Sequence, residues 1–406
     1  MKISNWMLAA GSAAILLGAV ATRAQRGAPA AGPQAPGRAQ AGRGGRGAPA
    51  LPPIKSPEVS ADGRVTFRVR APNARTVAVA GQNAPDGPGV AGPMTETSDG
   101  VWSFTTEPLP PDVYNYSFNI DGASVPDTAN PGPRFTHYGE GVGISTVEVP
   151  GTPPNPWDVG AVPRGSITHA FYLSKAVGVE RDYYVYTPPG YDPKRRDPYP
   201  VIYLLHGLTE EASAWFTVGK ANVIGDNYIA QGKMKPVIMV APLGYGTTED
   251  ISRLYNDKPL QLLHLARYTD TLLNEIMPRV EPEFNISRQQ KDHAIAGLSM
   301  GGAQTMSIGL GHPDRFAYVG GISPALVMLD TDMAKAYPAV DSKMNSQYKL
   351  VYFSCGTEDG LINGSIALKA YLDGKGVKSE FVRMPGRHVW QVFRRSFAAF
   401  ALRLFQ

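Results

Sequence analysis

Cysteine is nearly absent. The 406 residues include one, Cys355, so no intrachain disulfide is possible and the core must hold itself together even outside the cytoplasm. Acidic residues are missing from the first 55 positions, which carry seven Lys or Arg. Of the formal net charge of +4, the remainder therefore carries −3. That mildly acidic balance offers no basic face for nucleic acid. The Asp, Glu and His residues are scattered, with no H-x-x-x-H and no clustered carboxylate spacing, so no metal or cofactor is expected. Beyond residue 21 no apolar run approaches the roughly 20 residues of a spanning helix. What is present suits a globular chain: 43% hydrophobic and 18% charged residues, with 19 Tyr. The length favours two domains.

The start of the chain reads as an export signal over residues 1–24. Lys2 supplies a positive first region and Met7 to Ala21 an apolar one; Ala19-Val20-Ala21 and Thr22-Arg23-Ala24 offer small residues for cleavage. The expected location is secreted or periplasmic, without stable membrane association after cleavage. Residues 25–55 are almost entirely Gly, Ala, Pro, Gln and Arg. They bury too little apolar surface to offset ordering entropy and read as a linker.

Residues 56–150 change texture. Val65–Val69, Val77–Ala80, Val101–Phe104 and Tyr114–Ile120 are short segments of alternating character, separated by turn signals such as Asp62-Gly63, Pro85-Asp86-Gly87 and Asp121-Gly122. Period-2 strands at regular spacing predict a small all-β, immunoglobulin-like sandwich. Trp102, Tyr114, Tyr116 and Phe118 alternate as core residues do, though two of them facing outward would form a sugar platform. Residues 151–170, rich in proline, read as a connector.

From residue 171 to 406 strands alternate with helices. Val201–Leu205 and Val237–Ala241 are continuous apolar runs, as in strands buried on both faces. Tyr268–Val280, Ile366–Asp373 and Val389–Leu404 read as helices, and Gly320–Ile322, Leu350–Phe353 and Phe381–Val382 as strands. The fold class is α/β, an α/β-hydrolase fold with a mostly parallel sheet.

Gly297-Leu298-Ser299-Met300-Gly301 follows the apolar Ala294-Ile295-Ala296. The G-x-S-x-G pattern after a strand is the nucleophile elbow, in which a sharp turn lifts a serine clear of the sheet. In this fold an acid and then a histidine follow. Of the seven histidines, only His388 lies after a plausible acid. The acid belongs in Cys355-Gly356-Thr357-Glu358-Asp359-Gly360, where Glu358 and Asp359 both qualify. Two backbone N–H groups should hold the developing oxyanion: that of Met300, and one from the Leu205-His206-Gly207-Leu208-Thr209 loop, with Leu208 the candidate. His206, Trp215, Tyr245, Tyr255 and Trp390 are candidate substrate-binding residues. The segment from Gly244 to Leu263 is expected to roof the pocket.

Five motifs together resemble carbohydrate esterase family 1: Leu204-Leu205-His206-Gly207, Ala296 to Gly302, His312-Pro313-Asp314-Arg315-Phe316, Cys355 to Asp359, and Pro385-Gly386-Arg387-His388-Val389-Trp390. The likeness spans about residues 165–406. It implies a serine carboxylester hydrolase with Ser299, Asp359 and His388 as triad and Leu208 and Met300 as oxyanion donors. Ala71-Pro72-Asn73-Ala74, Asp99-Gly100-Val101-Trp102, Pro110 to Tyr116, Phe118 to Gly122 and Asp127 to Pro131 resemble a family 48 carbohydrate-binding module. That implies a polysaccharide or small-ester substrate, with a feruloyl ester of (arabino)xylan first. Acetyl xylan esterase is the alternative, then a siderophore trilactone esterase, then an inactive sugar-binding protein. A trilactone esterase wants a basic pocket, which the −3 balance does not favour.

Overall fold

In the computed structural model the described residues are 51–81, 88–98, 100–132, 134–136, 143–330 and 332–406. The expected signal peptide and nearly all of the expected linker lie outside them, as does the Pro85-Asp86-Gly87 turn. Among the described residues no helix is long and apolar enough to cross a membrane.

The alternating segments of residues 56–150 pair as expected. One antiparallel sheet runs Glu58–Val59, Val65–Arg70, Val101–Thr105, Thr95–Ser98; the other runs Gly92–Pro93, Val77–Gly81, Asp112–Ile120, Gly143–Val149, Arg134–Thr136, with Ala123–Val125 beside Asp112–Ile120. Tyr114, Tyr116 and Phe118 all point into the sandwich core against Val65, Phe67 and Val79. Trp102 is half-buried, and its indole N–H donates to the Ala71 carbonyl at 3.1 Å. None of these rings stands outward as a platform, because the strand presents them at i, i+2 and i+4 to one face.

The opposite face of that strand is also covered. Val113 belongs to one buried cluster with Trp157 of the connector and Trp215 and Val218 of the following α/β part. Asp112 pairs with Arg394, and both side chains are buried. Arg394 Nη2 also donates to the Val218 carbonyl at 2.9 Å. Lys220 pairs with Glu148 across the same junction. Residues Pro53–Gln406 accordingly form one compact unit.

The α/β part is built on eight strands: β1 Ser166–Leu173, β2 Glu180–Thr187, β3 Val201–Leu205, β4 Ile238–Pro242, β5 His293–Leu298, β6 Tyr318–Ile322, β7 Leu350–Gly356 and β8 Glu380–Met384. Their order across the sheet is β1-β2-β4-β3-β5-β6-β7-β8. The β1–β2 and β2–β4 pairs are antiparallel and the rest parallel. Every residue of β3, β4 and β5 is buried, which is why these strands read as unbroken apolar runs. The main helices are α1 Ala221–Ala230, α2 Lys258–Asp270, α3 Met277–Glu283, α4 Ser299–Gly311, α5 Ile362–Gly374 and α6 Trp390–Ala401.

The structure differs from expectation in the sandwich, where Thr95–Ser98 and Gly143–Val149 are further strands, and at three places beyond it. The connector ends before β1 begins at Ser166, so residues 166–170 belong to the sheet. Its pattern was weak because β1 is an edge strand with most side chains exposed. Helix α1 was not expected at all. The helix anticipated at 268–280 begins at Lys258, where the Asp257 carboxylate caps the Leu260 N–H at 3.0 Å. It continues through a wider, π-type stretch at Thr271–Ile276 before α3. Pro278 lacks an N–H and crowds the carbonyl four residues back, which disfavours ordinary winding just before it.

Candidate active site

Ser299 sits at the junction of β5 and α4 with φ 54°, a left-handed conformation that costs a non-glycine residue about 1–3 kcal/mol. The neighbouring glycines make it possible. A Cβ on Gly301 would stand 2.4 Å from the Leu205 carbonyl oxygen, and one on Gly297 2.4 Å from the Gly301 oxygen. The turn thus brings the serine against the end of β3.

Asp359 follows β7 and is buried at 2% exposure. His388 Nδ1–H donates to its Oδ2 at 2.8 Å, and the Leu361 N–H donates to Oδ1 at 2.9 Å. Burial pushes the Asp359 carboxyl up, but the hydrogen bond and charge of His388 with the Leu361 N–H more than offset it, leaving the group below its ordinary range. Glu358 lies outward, 3.3 Å from Arg387 Nε. The imidazole of His388 is steadied by the edge of Phe393, with ring centroids 4.9 Å apart.

Ser299, Asp359 and His388 line one cavity of about 580 Å³ together with Leu208, Met300, Tyr255 and Trp390. Neither the Leu208 nor the Met300 N–H has a hydrogen-bond partner among the described residues. Two unpaired donors beside the serine are what an oxyanion requires. Among the described residues the rest of the wall is largely apolar: Leu254, Leu298, Ala325, Val327, Met328, Leu361 and Phe393, with Glu210 the one further acid and no Lys or Arg.

Three candidate substrate contacts are not at this wall. Trp215 is fully buried, with its indole N–H on the Leu205 carbonyl at 2.9 Å, and stacks edge-on with Trp390. Tyr245 is buried and donates to the Glu210 carbonyl at 2.9 Å. His206 donates from Nδ1 to the Gly207 carbonyl at 2.8 Å and accepts the Gly244 N–H at Nε2, at 2.7 Å. All three brace the loops that shape the cavity, since a large ring at a sheet edge gains more from burial than from exposure. Only part of the anticipated roof reaches the cavity, through Leu254 and Tyr255. The wall from Ala325 to Met328 was missed. Its position just beyond the carboxyl end of β6 was the available signal, because open α/β sheets place sites there.

Behind the β3 loop lies a buried polar layer. Burial pushes His206 down to about 4, with the Gly207 carbonyl opposing; burial, with His206 nearby, does the same to His264. His264 Nδ1 accepts the Gly246 N–H at 3.0 Å. Both rings are therefore held neutral. A group whose folded value is depressed contributes stability above its unfolded value near 6.5 and loses it as pH falls toward 4. We expect the stability advantage of the wild type over His264→Asn to shrink by about 2 kcal/mol between pH 7 and about pH 5, read from urea unfolding at each pH. An advantage independent of pH would mean that His264 binds protons in the fold as it does in the unfolded chain; an advantage that grows as pH falls would mean that it is protonated there.

An eight-stranded mixed sheet with a strained serine between β5 and α4, and an acid–histidine pair beyond β7 and β8, defines the α/β-hydrolase class. Residues 174–404 match the family described as Putative esterase, and residues 56–134 match carbohydrate-binding module 48 (isoamylase N-terminal domain). The chain belongs to this esterase family, with a module of the second kind before the esterase domain, and the resemblance drawn from the motifs is borne out at that level. It is 31% identical over 359 residues to an endo-1,4-β-xylanase/feruloyl esterase of Xylanibacter ruminicola, covering 86% of this chain and 46% of that protein. The chain spans about half the length of the curated relatives it matches. Among solved structures it is similar to a CE1 ferulic acid esterase of Anaeromyces mucronatus, with TM-score 0.54 at 23% identity over 62% of this chain and 96% of that one. It is also similar to the enterochelin esterase of Shigella flexneri, with TM-score 0.62 at 17% identity over 86% and 95%.

Proposed function

We propose that the chain is an exported serine carboxylester hydrolase acting on plant cell-wall polysaccharide esters, and that its acyl group is a hydroxycinnamate such as ferulate. The observation that carries this is the convergence of Ser299, His388 and Asp359 on one cavity whose other walls are apolar. His388 takes the Ser299 proton as the hydroxyl attacks the ester carbonyl. The oxyanion sits against the Leu208 and Met300 N–H groups. His388 then protonates the departing sugar alcohol, and water cleaves the acyl-enzyme by the same route. Asp359 holds the imidazole tautomer and stabilises its cation.

The acyl assignment is supported by wall chemistry. A planar aryl acid buries its ring against Leu254 and Met328, while the sugar leaves toward solvent past Tyr255 and Val327, 61% and 64% exposed. The xylanase/feruloyl esterase relative supports the same substrate class. Export is supported by the apolar Met7 to Ala21 segment. The siderophore alternative has a structural likeness over 86% of the chain, but an anionic catecholate ester would meet a cavity wall that among the described residues carries no Lys or Arg.

The test is kcat/KM on methyl ferulate, p-nitrophenyl acetate and acetylated xylan with one preparation. Methyl ferulate should lead acetylated xylan. Met328→Ala should raise KM for methyl ferulate about 5-fold and leave p-nitrophenyl acetate unchanged, as loss of one apolar contact to the acyl ring implies. Acetylated xylan turned over faster than methyl ferulate would overturn the acyl assignment.

A further inference from the structure

The loop that carries the Leu208 N–H closes on itself. The Gly207 N–H donates to Glu210 Oε2 at 2.8 Å, and the Glu210 N–H returns to the Gly207 carbonyl at 3.3 Å. Thr209 between them has φ 71°, a strained position that persists only where its surroundings hold it. The loop is pinned at two further points. Tyr245 Oη donates to the Glu210 carbonyl, and the Gly301 N–H donates to the His206 carbonyl at 3.1 Å, tying the loop to the turn after the serine. Glu210 is 6% exposed and lines the cavity. A carboxyl in that setting has a high desolvation cost, and neither substrate attack nor the proton relay uses it.

We infer that Glu210 is a positioning residue for the oxyanion site, its carboxyl oxygen holding the Gly207 N–H so that the next N–H, that of Leu208, faces the reacting carbonyl. The inference rests on the esterase reading above. What matters is the reach of an acceptor oxygen and not its charge. Burial pushes the carboxyl up to about 7, against the Gly207 N–H and the nearby Trp390 and His388, so near neutral pH the contact exists with and without the charge.

Two variants separate reach from charge. Glu210→Gln keeps an acceptor at the same distance and removes the charge; Glu210→Asp keeps the charge and shortens the side chain by one methylene. On p-nitrophenyl acetate, Glu210→Asp should lose on the order of 100-fold in kcat, the scale of a small misplacement near the reacting atoms, with KM within about 3-fold. Inhibition by phenylboronic acid, whose tetrahedral serine adduct needs the same N–H, should weaken by a similar factor. Glu210→Gln should stay within about 3-fold of wild type in both. The inference is overturned if Glu210→Asp keeps wild-type kcat, if its loss falls on KM with boronate inhibition unchanged, or if Glu210→Gln is as impaired as Glu210→Asp. A wild type that turns over neither p-nitrophenyl acetate nor methyl ferulate overturns the esterase reading itself, and this inference with it.

Discussion

Ser299→Ala should lower kcat/KM on p-nitrophenyl acetate by about 10⁵-fold, because the residues around a serine nucleophile act as a unit and its loss removes the covalent route entirely. What survives is binding plus whatever the Leu208 and Met300 N–H groups contribute to direct water attack. The protein should stay folded. Alanine is a smaller side chain at a position whose strain, φ 54°, is imposed by the strand–turn–helix backbone, and so the change adds no clash. Intact-mass detection of an acyl adduct in the wild type and its absence in the variant makes the assay independent of trace contaminants. Turnover within about 10-fold of wild type would remove the elbow from the mechanism, since no partial role of a nucleophile is that dispensable.

The second large effect is on stability. Arg394 is fully buried in α6 and pairs with Asp112, 1% exposed, at the start of a sandwich strand. Its guanidinium also stands over the Trp157 ring, 5.6 Å from the centroid, and reaches the Val218 carbonyl. Arg394→Met leaves a buried carboxylate with the half-exposed Arg395 at 3.2 Å and the Val113 N–H at 2.9 Å, and no fully buried cation, to answer it. We expect a loss of about 4 kcal/mol in guanidinium unfolding, the scale of breaking a buried pair by removing one partner. Adding Asp112→Leu should recover more than half of that, because replacing both members by apolar groups restores packing without a stranded charge. A single-variant loss below about 1 kcal/mol would show that water reaches Asp112 and that the two parts are only loosely joined.

The sandwich strands Val65–Arg70, Val77–Gly81, Val101–Thr105 and Asp112–Ile120 and the sheet strands β3, β4, β5 and β7 were legible because burial imposes simple patterns: alternation where one face is wet, unbroken apolar runs where neither is. The edge strand β1 was not, since its mostly exposed side chains carry no such imprint. The start of α2 was obscured by a polar first turn, Lys258-Pro259, whose helical role comes from the Asp257 cap.

The candidate site divides in the same way. Ser299 and His388 stand out as candidates in one dimension, because the elbow needs glycines at set offsets and the fold presents its acid and base in a set order; order leaves Glu358 and Asp359 both open, and the preference for Asp359 comes from the family resemblance. Distances decided the rest. Trp215, Tyr245 and His206 have the chemistry of ligand contacts, yet their hydrogen bonds and burial place them behind the wall. Glu210 resembles any loop acid until its oxygen is found 2.8 Å from the Gly207 N–H. Local sequence determines which backbone shapes are possible, since sterics and periodicity act over a few residues. Which side chains end up facing a cavity is set by contacts between segments such as 207–210, 254–255, 325–328 and 388–393, dozens of positions apart, and only their packing decides it.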